Sequence, residues 1–444
     1  MRETIIQFGE GNFLRAFVDY YVDVLNKQGL YDGKVVVVQP RSGGRVEELN
    51  KQNGKYNLFI RGIENGEIID RHHVIESITR GIDPYRNFAL YMDLAGNEDL
   101  RFIVSNTTEA GIEFDPSNHF DDRPAKSFPG KLTQLLHERF RLNLPGFIFL
   151  PCELIDNNAE ALKACILAYA EHWDLGDDFA SWIHEENTFC NTLVDRITTG
   201  YPKDQLAEFE SRIAFADSSI DVAEAFNLWV IEGNYESELP LQRAGLNVIW
   251  TDDVRPYKKR KVRILNGGHT AMVPGAMLHG LETVGECMGD PLVRSYLEHV
   301  MFQEIVPALG GKGEDSQFAR DILERFENPF VQHRLSSIAL NSVAKFTARV
   351  LPTILDYKEM FGVYPEGLTL SLAALIAFYR TDAVNDSPAV ERFMREASVE
   401  DILKHQAYWQ QDISDMAPLV NRYYAIIRGE GMKAAYEAVP GSKG

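Results

Sequence analysis

Four consecutive valines, Val35-Val36-Val37-Val38, constrain this chain more than any other stretch. Successive strand residues point to opposite faces, so an all-apolar run asks for a strand buried on both sides. Such strands belong to parallel sheets covered by helices on each face. Thr4-Ile5-Ile6-Gln7-Phe8 reads as a preceding strand, and 100–105 and 146–150 as two more, with helical periodicity between them. The first 150 residues are therefore expected to form a parallel α/β sheet. From about 160 to 230 the pattern reads as mainly helical, and 246–250 as a returning strand. Past Pro256 helical periodicity dominates, clearest at 292–305, 316–326, 330–347, 368–379 and 389–396. At 444 residues, two domains are expected, an α/β domain over 1–250 and an all-α domain over 251–444.

The first strand runs into Gly9-Glu-Gly11-Asn-Phe13 and an apolar-periodic run, 14–25, read as one amphipathic helix. Glycines there let the backbone approach a pyrophosphate, and a helix N-terminus offers free N–H groups. Leu14 stands where a third glycine would complete GxGxxG, so a plain strand–helix turn is the alternative. Arg15, one turn into the helix, can reach a phosphate or a substrate carboxylate. After the valines, Gln39-Pro40-Arg41-Ser42 supplies no acid for ribose hydroxyls, which leaves both NAD and NADP open. Arg41 can equally stack on adenine or pair with a 2′-phosphate. Asn106-Thr107-Thr108-Glu109-Ala110-Gly111 follows the third strand, where a nicotinamide ribose would sit; a polar loop capping a helix is the alternative.

Lys261-Val-Arg-Ile-Leu-Asn266-Gly-Gly-His269 spaces an amine, an amide and an imidazole at i, i+5 and i+8. At about 100° per residue of α-helix, Asn266 and His269 lie roughly 140° and 80° round from Lys261. All three can face one side, which suits carbonyl–alcohol redox chemistry. The competing reading is a solvated basic helix start, since Lys258, Lys259, Arg260, Lys261 and Arg263 crowd together. A formal charge of −20 argues against a nucleic-acid reader using those cations, and makes them one place where an anionic substrate finds local positive charge. No run of 18 apolar residues exists, so no membrane span is expected. Cys152, Cys165, Cys190 and Cys287 are widely separated with no CxxC pair, which favours a reducing cytoplasm and no cysteine zinc site.

Gly9-Glu-Gly11-Asn-Phe13-Leu-Arg15, Thr108-Glu109-Ala-Gly111, Val194-Asp195-Arg196-Ile197 and Lys261-x4-Asn266-x2-His269 occur in that order. With Pro151-Cys-Glu-Leu-Ile-Asp156 and Phe189-Cys-x-Thr-Leu-Val-Asp-Arg196, they resemble the polyol-specific long-chain dehydrogenase/reductase family, which includes mannitol 2-dehydrogenase and the hexuronate reductases. The resemblance is strongest to members acting on keto-hexuronates. It implies a Rossmann-like N-terminal domain, a helical C-terminal domain, a metal-independent mechanism and NAD, with NADP not excluded. The cofactor is then expected at Phe8, Gly9, Gly11, Asn12, Phe13, Arg41, Thr107, Thr108 and Glu109. Lys261 corresponds to the family's catalytic lysine, Asn266 to its oxyanion-stabilising asparagine and His269 to its substrate-binding histidine. Mannitol-oxidising members carry an asparagine after Cys-Asp or Cys-Glu; here Leu154 follows Cys152-Glu153, so that amide comes from Asn158 or is absent. Lys345 and Arg349, four apart, are candidate carboxylate contacts beside Arg15, with an exposed helix face as the alternative. The implied activity is reversible NAD-dependent reduction of D-tagaturonate to D-altronate in hexuronate catabolism, with D-fructuronate reduction or polyol oxidation as alternatives. An inactive dinucleotide sensor would not need Lys261, Asn266 and His269 together.

Overall fold

Side-chain alternation sorts the sheet residues onto two faces. Ile5, Val35, Val37, Phe102, Val104 and Ile148 belong to one apolar core, and Ile6, Phe8, Val36, Val38, Ile103 and Phe149 to another. Burying each such side chain stabilises the fold by roughly 1.5–3 kcal/mol relative to exposure. In the computed structural model, which describes residues 2–311 and 313–441 (Glu109 by its backbone alone), twelve strands follow in chain order. They are β1 (Arg2–Phe8), β2 (Gly33–Val38), β3 (Tyr56–Glu64), β4 (Glu67–Ile75), β5 (Ile78–Ile82), β6 (Phe102–Ser105), β7 (Ile148–Pro151), β8 (Thr188–Phe189), β9 (Thr192–Asp195), β10 (Asp221–Ala223), β11 (Leu228–Glu232) and β12 (Val248–Thr251). The main sheet runs β5-β2-β1-β6-β7-β8 with parallel pairing throughout. That is the 3-2-1-4-5-6 order of doubly wound nucleotide-binding domains, with its switch point between β1 and β6.

Contacts divide the chain into two units, Met1–Gly62 with Ile68–Arg255, and Ile63–Glu67 with Pro256–Gly444. In the first, three sequence expectations need correction. The run 14–25 is two helices, Asn12–Ala16 and Val18–Lys27, broken at Phe17 (φ −123°, ψ −80°). Phe17 turns its ring among Phe13, Tyr21 and Trp229, and packing outweighs helical continuity there. A one-turn helix also gathers little macrodipole, which weakens the dipole part of the phosphate argument. Next, the mainly helical stretch expected over 160–230 keeps helices Asn158–His172 and Asp177–Glu185, but then turns to strands of two to five residues, too short for their period to read. Finally, β3, β4 and β5 went unread, although Asn65 and Gly66 (φ 54° and 78°), between β3 and β4, form the kind of turn that joins hairpin strands.

The second unit's principal elements are helices. Its helix Glu366–Phe378 is buried from Gly367 to Phe378 on every side, as an apolar sequence without an amphipathic face requires. The buried carboxylate of Glu304 accepts from the Gly367 and Leu368 amides at 2.6 and 2.7 Å, capping that helix. The helix expected over 330–347 is two, Leu335–Ile338 and Ser342–Arg349, with Asn341 at φ 52° before the second. That expected over 292–305 is α-helical only over Pro291–His299 and continues as a π-turn, Val300–Ile305. Among the described residues no helix is long and apolar enough to cross a membrane.

Candidate active site

In the first unit, the loops after β1, β2 and β6 enclose a cleft of about 680 Å³ at the switch point. Gly9, Gly11, Asn12, Phe13, Arg41, Thr107 and Thr108 line it. The two glycines serve different ends. Gly9 has φ +126°, and a Cβ there would meet the Asn106 carbonyl oxygen at 3.0 Å; Gly11 has nothing within 4 Å, so its backbone stays open to a ligand. Two expected contacts fall away. Phe8 is fully buried, packed on Phe128 with ring centroids 4.9 Å apart, and gives the loop only its carbonyl, which accepts from Asn106 N at 3.1 Å. Arg15 is 5% exposed and spent inside: it donates to the carbonyls of Glu10 and Ser219 and to Asn12 Oδ1, and pairs with Asp221 at 3.6 Å. It holds the glycine turn from behind instead of reaching a ligand. The Glu109 side chain lies outside the described residues.

Beneath the turn, Gln7 Nε2 donates to Gly9 O (3.0 Å) and to Asp19 Oδ2 (3.2 Å), and Gln7, Asp19 and Asp221 are all fully buried. Burial pushes Asp19 and Asp221 up to about 7. An aspartate titrates near 3.9 when unfolded, so each favours the folded state fully below about pH 4 and loses that contribution as pH rises through about 7. Asp19→Asn removes one such titration. The fall in urea midpoint between about pH 5 and pH 8 should become shallower in the variant, and an unchanged slope would place the titration elsewhere.

In the second unit, helix Arg255–Lys261 passes into a π-turn, Val262–Asn266, and then helix Gly267–Leu278. The Gly267 amide donates back to the Val262 carbonyl, five residues earlier. The α-helical phasing expected here is thus corrected: a turn closed at i→i+5 carries Asn266 round toward the face of Lys261, and His269 follows three residues on. Gly267 allows a close approach, since a Cβ would sit 3.1 Å from the Arg349 carbonyl oxygen, and helix Ser342–Arg349 ends directly against the turn. His269 stacks on Phe326 (centroids 3.9 Å, 13°) and meets His333 edge-on at 5.2 Å. Its Nε2 is buried and has no protein partner. Burial first, then His333, Arg325 and Arg349, hold its pKa well below the usual imidazole range, so the ring is neutral.

The cations around this turn are unequal. Arg260 pairs with Asp315 (2.6 Å) and Glu314 (3.0 Å), and Lys259 and Arg263 both reach Asp356 at 3.3 Å. Most of the 258–263 cluster is therefore neutralised by acids, contrary to its expected role as an anion basin. Lys345 Nζ donates to the Ile338 carbonyl at 2.8 Å. Among the described residues the Arg349 side chain makes one long hydrogen bond, to Thr270 Oγ1 at 3.5 Å, and burial lowers its pKa.

Two family domains match the chain, the Mannitol dehydrogenase Rossmann domain over residues 3–242 and the Mannitol dehydrogenase C-terminal domain over 253–426. The chain belongs to the mannitol dehydrogenase family. It is an oxidoreductase of that family, 44% identical to an altronate oxidoreductase of Bacillus subtilis (strain 168) over 98% of this chain and 95% of that protein. An altronate oxidoreductase of Yersinia enterocolitica is also 44% identical, over 98% of this chain and 96% of its own. A D-sorbitol dehydrogenase in substrate-free form superposes with TM-score 0.87 at 22% identity, covering 99% of this chain and 95% of that one. Pseudomonas fluorescens mannitol 2-dehydrogenase, in a ternary complex with NAD and D-mannitol, gives 0.70 at 23%, covering 98% and 94%. These likenesses establish the fold, a Rossmann-like parallel sheet domain and a largely helical domain.

For this mannitol dehydrogenase family member, the Asn158 amide is not a spare oxyanion donor. Its Nδ2 donates to the carbonyls of Pro151 (2.9 Å), Glu153 (3.1 Å) and Thr192 (3.2 Å), and its Oδ1 accepts from the Ala159 and Thr192 amides at 3.0 Å. At 1% exposure every polar atom is committed to tying strand ends together. Leu154, in contrast, is 60% exposed. Sequence reasoning also passed over Glu153 itself, noted only for the leucine that follows it. Its one signal was an acid at the end of an apolar strand.

Proposed function

We propose that this chain reduces D-tagaturonate to D-altronate with NADH, reversibly, in the cytoplasm. The observation that carries the reading is 44% identity to altronate oxidoreductases over nearly the whole of both chains. We assign cofactor binding to residues 1–250 and substrate binding and proton transfer to 251–444. The switch-point cleft fits a dinucleotide: Gly11 leaves its backbone open, and Phe13, Arg41, Thr107 and Thr108 offer ring, cation and hydroxyl contacts. A bound nicotinamide supplies the hydride. Lys261 Nζ then gives its proton to the ketone oxygen, and in the oxidative direction takes it back. Asn266 would donate a hydrogen bond to that oxygen as charge gathers on it, an effect of about 2.7–4 kcal/mol on the barrier when preorganised. Neutral His269 presents Nε2 to a substrate hydroxyl, and Arg349, seated beside it, takes the carboxylate ahead of Lys345. Four free thiols are in keeping with the cytoplasm.

Initial rates with NADH on D-tagaturonate, D-fructuronate and fructose test the assignment, with NADPH in parallel because no acid follows β2 to refuse a 2′-phosphate. Tagaturonate should give the highest kcat/KM; a higher value for fructuronate would move the enzyme to the neighbouring activity. Proton transfer by a lysine needs no metal, and among the described residues no group of three or more His, Cys, Asp or Glu is arranged to hold one. EDTA is expected to leave the rate unchanged. Loss of activity, restored by zinc or manganese, would overturn that mechanism.

A further inference from the structure

We infer that Glu153 is a positioning residue for the cofactor: its buried carboxylate sets the loop 105–108 so that Thr107 and Thr108 face the nicotinamide half of the cleft. The inference rests on reading that cleft as a nicotinamide dinucleotide site. Glu153 lies two residues beyond β7 and is 2% exposed. Oε1 accepts from the Thr107 amide (2.9 Å) and the Thr107 hydroxyl (3.0 Å), and Oε2 accepts from the Ser105 hydroxyl (3.0 Å). Its neighbour Cys152 completes the clasp, donating its amide to Ser105 O and accepting from Asn106 Nδ2, both at 2.7 Å. The ends of two adjacent strands, β6 and β7, are thus sewn together through one carboxylate and one peptide.

A buried carboxylate is a costly way to join two strands unless its acceptor capacity is the point. Burial raises the Glu153 pKa, whereas the Thr107 and Ser105 donors favour the ionised form and oppose that rise. What the carboxylate achieves is seen at the next residue. Thr108 has φ +90° and ψ 163°, a region that β-branched residues avoid, and such strain persists only where surroundings fix it. Glu153 pins Thr107 on one side, and the Gly111 amide closes on the Thr108 carbonyl at 2.9 Å on the other. Thr107 and Thr108 line the cleft, while Ser105 is not among its lining residues and is 1% exposed. Ser105 therefore reports on Glu153 without touching a ligand.

NADH titration and steady-state kinetics on Glu153→Ala, Glu153→Gln and Ser105→Ala test the inference. Glu153→Ala should raise Kd and KM for NADH about tenfold or more, as loss of charge-assisted hydrogen bonds commonly does, with the sugar KM at saturating NADH nearly unchanged. Glu153→Gln keeps acceptors for Thr107 and should recover most of that loss. Ser105→Ala, removing one of three donors, should show the same signature at roughly threefold. Thr108→Gly should raise the Tm of the wild type but not that of Glu153→Ala, where the strain is already released. Wild-type NADH affinity in folded Glu153→Ala, or in Ser105→Ala should Glu153→Ala not fold, would overturn the positioning role. A wild-type enzyme that binds neither NADH nor NADPH would instead sink the cleft assignment, and this inference with it.

Discussion

Lys261→Ala is expected to lose at least about a hundredfold in turnover while binding NADH almost as the wild type does. A positioned general acid–base group contributes roughly 10²–10⁴-fold, and alanine leaves no group at that position to give and take the proton. Cofactor affinity should survive because the residues assigned to it (Gly9, Gly11, Phe13, Thr107 and Thr108) all belong to the first unit. The measurements are kcat at saturating substrates, with a check that chemistry limits, and fluorescence titration of NADH. Turnover above about a tenth of wild type would show that the proton travels by another group. A parallel loss of NADH binding would show that the substitution disturbs more than proton transfer.

Arg349→Met should raise KM for a keto-hexuronate by about ten- to a hundredfold, the range of a charge-assisted hydrogen bond to a carboxylate, and change KM for fructose little. Arg349 is half-buried, its side chain's one hydrogen bond among the described residues is a long one to Thr270 Oγ1, and, after burial, it helps to lower the pKa of both His269 and Lys345. Lys345 already holds the Ile338 carbonyl, so Lys345→Met should cost less and fall on both substrates alike. Comparing two substrates that differ in a carboxylate separates the charge from the fold. If Arg349→Met harms fructose and the uronate equally, the carboxylate is bound elsewhere. Arg15, buried against Asp221, is no longer the alternative it was on sequence grounds.

Four strands of the main sheet, β1, β2, β6 and β7, were legible because their information is local and redundant: Val35 to Val38 declares a strand covered on both faces, and Gly9 declares the turn that follows β1. The short strands β8 to β11 were not, since two to five residues carry too little period to outvote neighbouring helices. The candidate site divides in the same way. Motif spacing brought out Lys261, Asn266 and His269, but which polar atoms remain free depends on partners distant in sequence. Asn158 looked available until Pro151 and Thr192 closed on it, and Arg15 until Asp221, 206 positions later, did so. Glu153 was missed for the converse reason: a lone acid after a strand says nothing until Ser105 and Thr107 arrive from another strand.

The π-turn at Val262–Asn266 gives the helix that carries the proposed catalytic residues one residue to spare, a property that substitution would never reveal. It holds one residue more than an α-turn would need. Deleting a single residue there, Arg263 for instance, would let the backbone revert to ordinary i→i+4 bonding and leave the helix intact. Four steps of about 100° would bring Asn266 round to roughly where five narrower π-turn steps had set it, so everything before the deletion would keep nearly its bearing on everything after it. A second deletion would find no such slack: Lys261 and His269 would stay on one helix, swung apart by about 100°, and no longer address the same molecule.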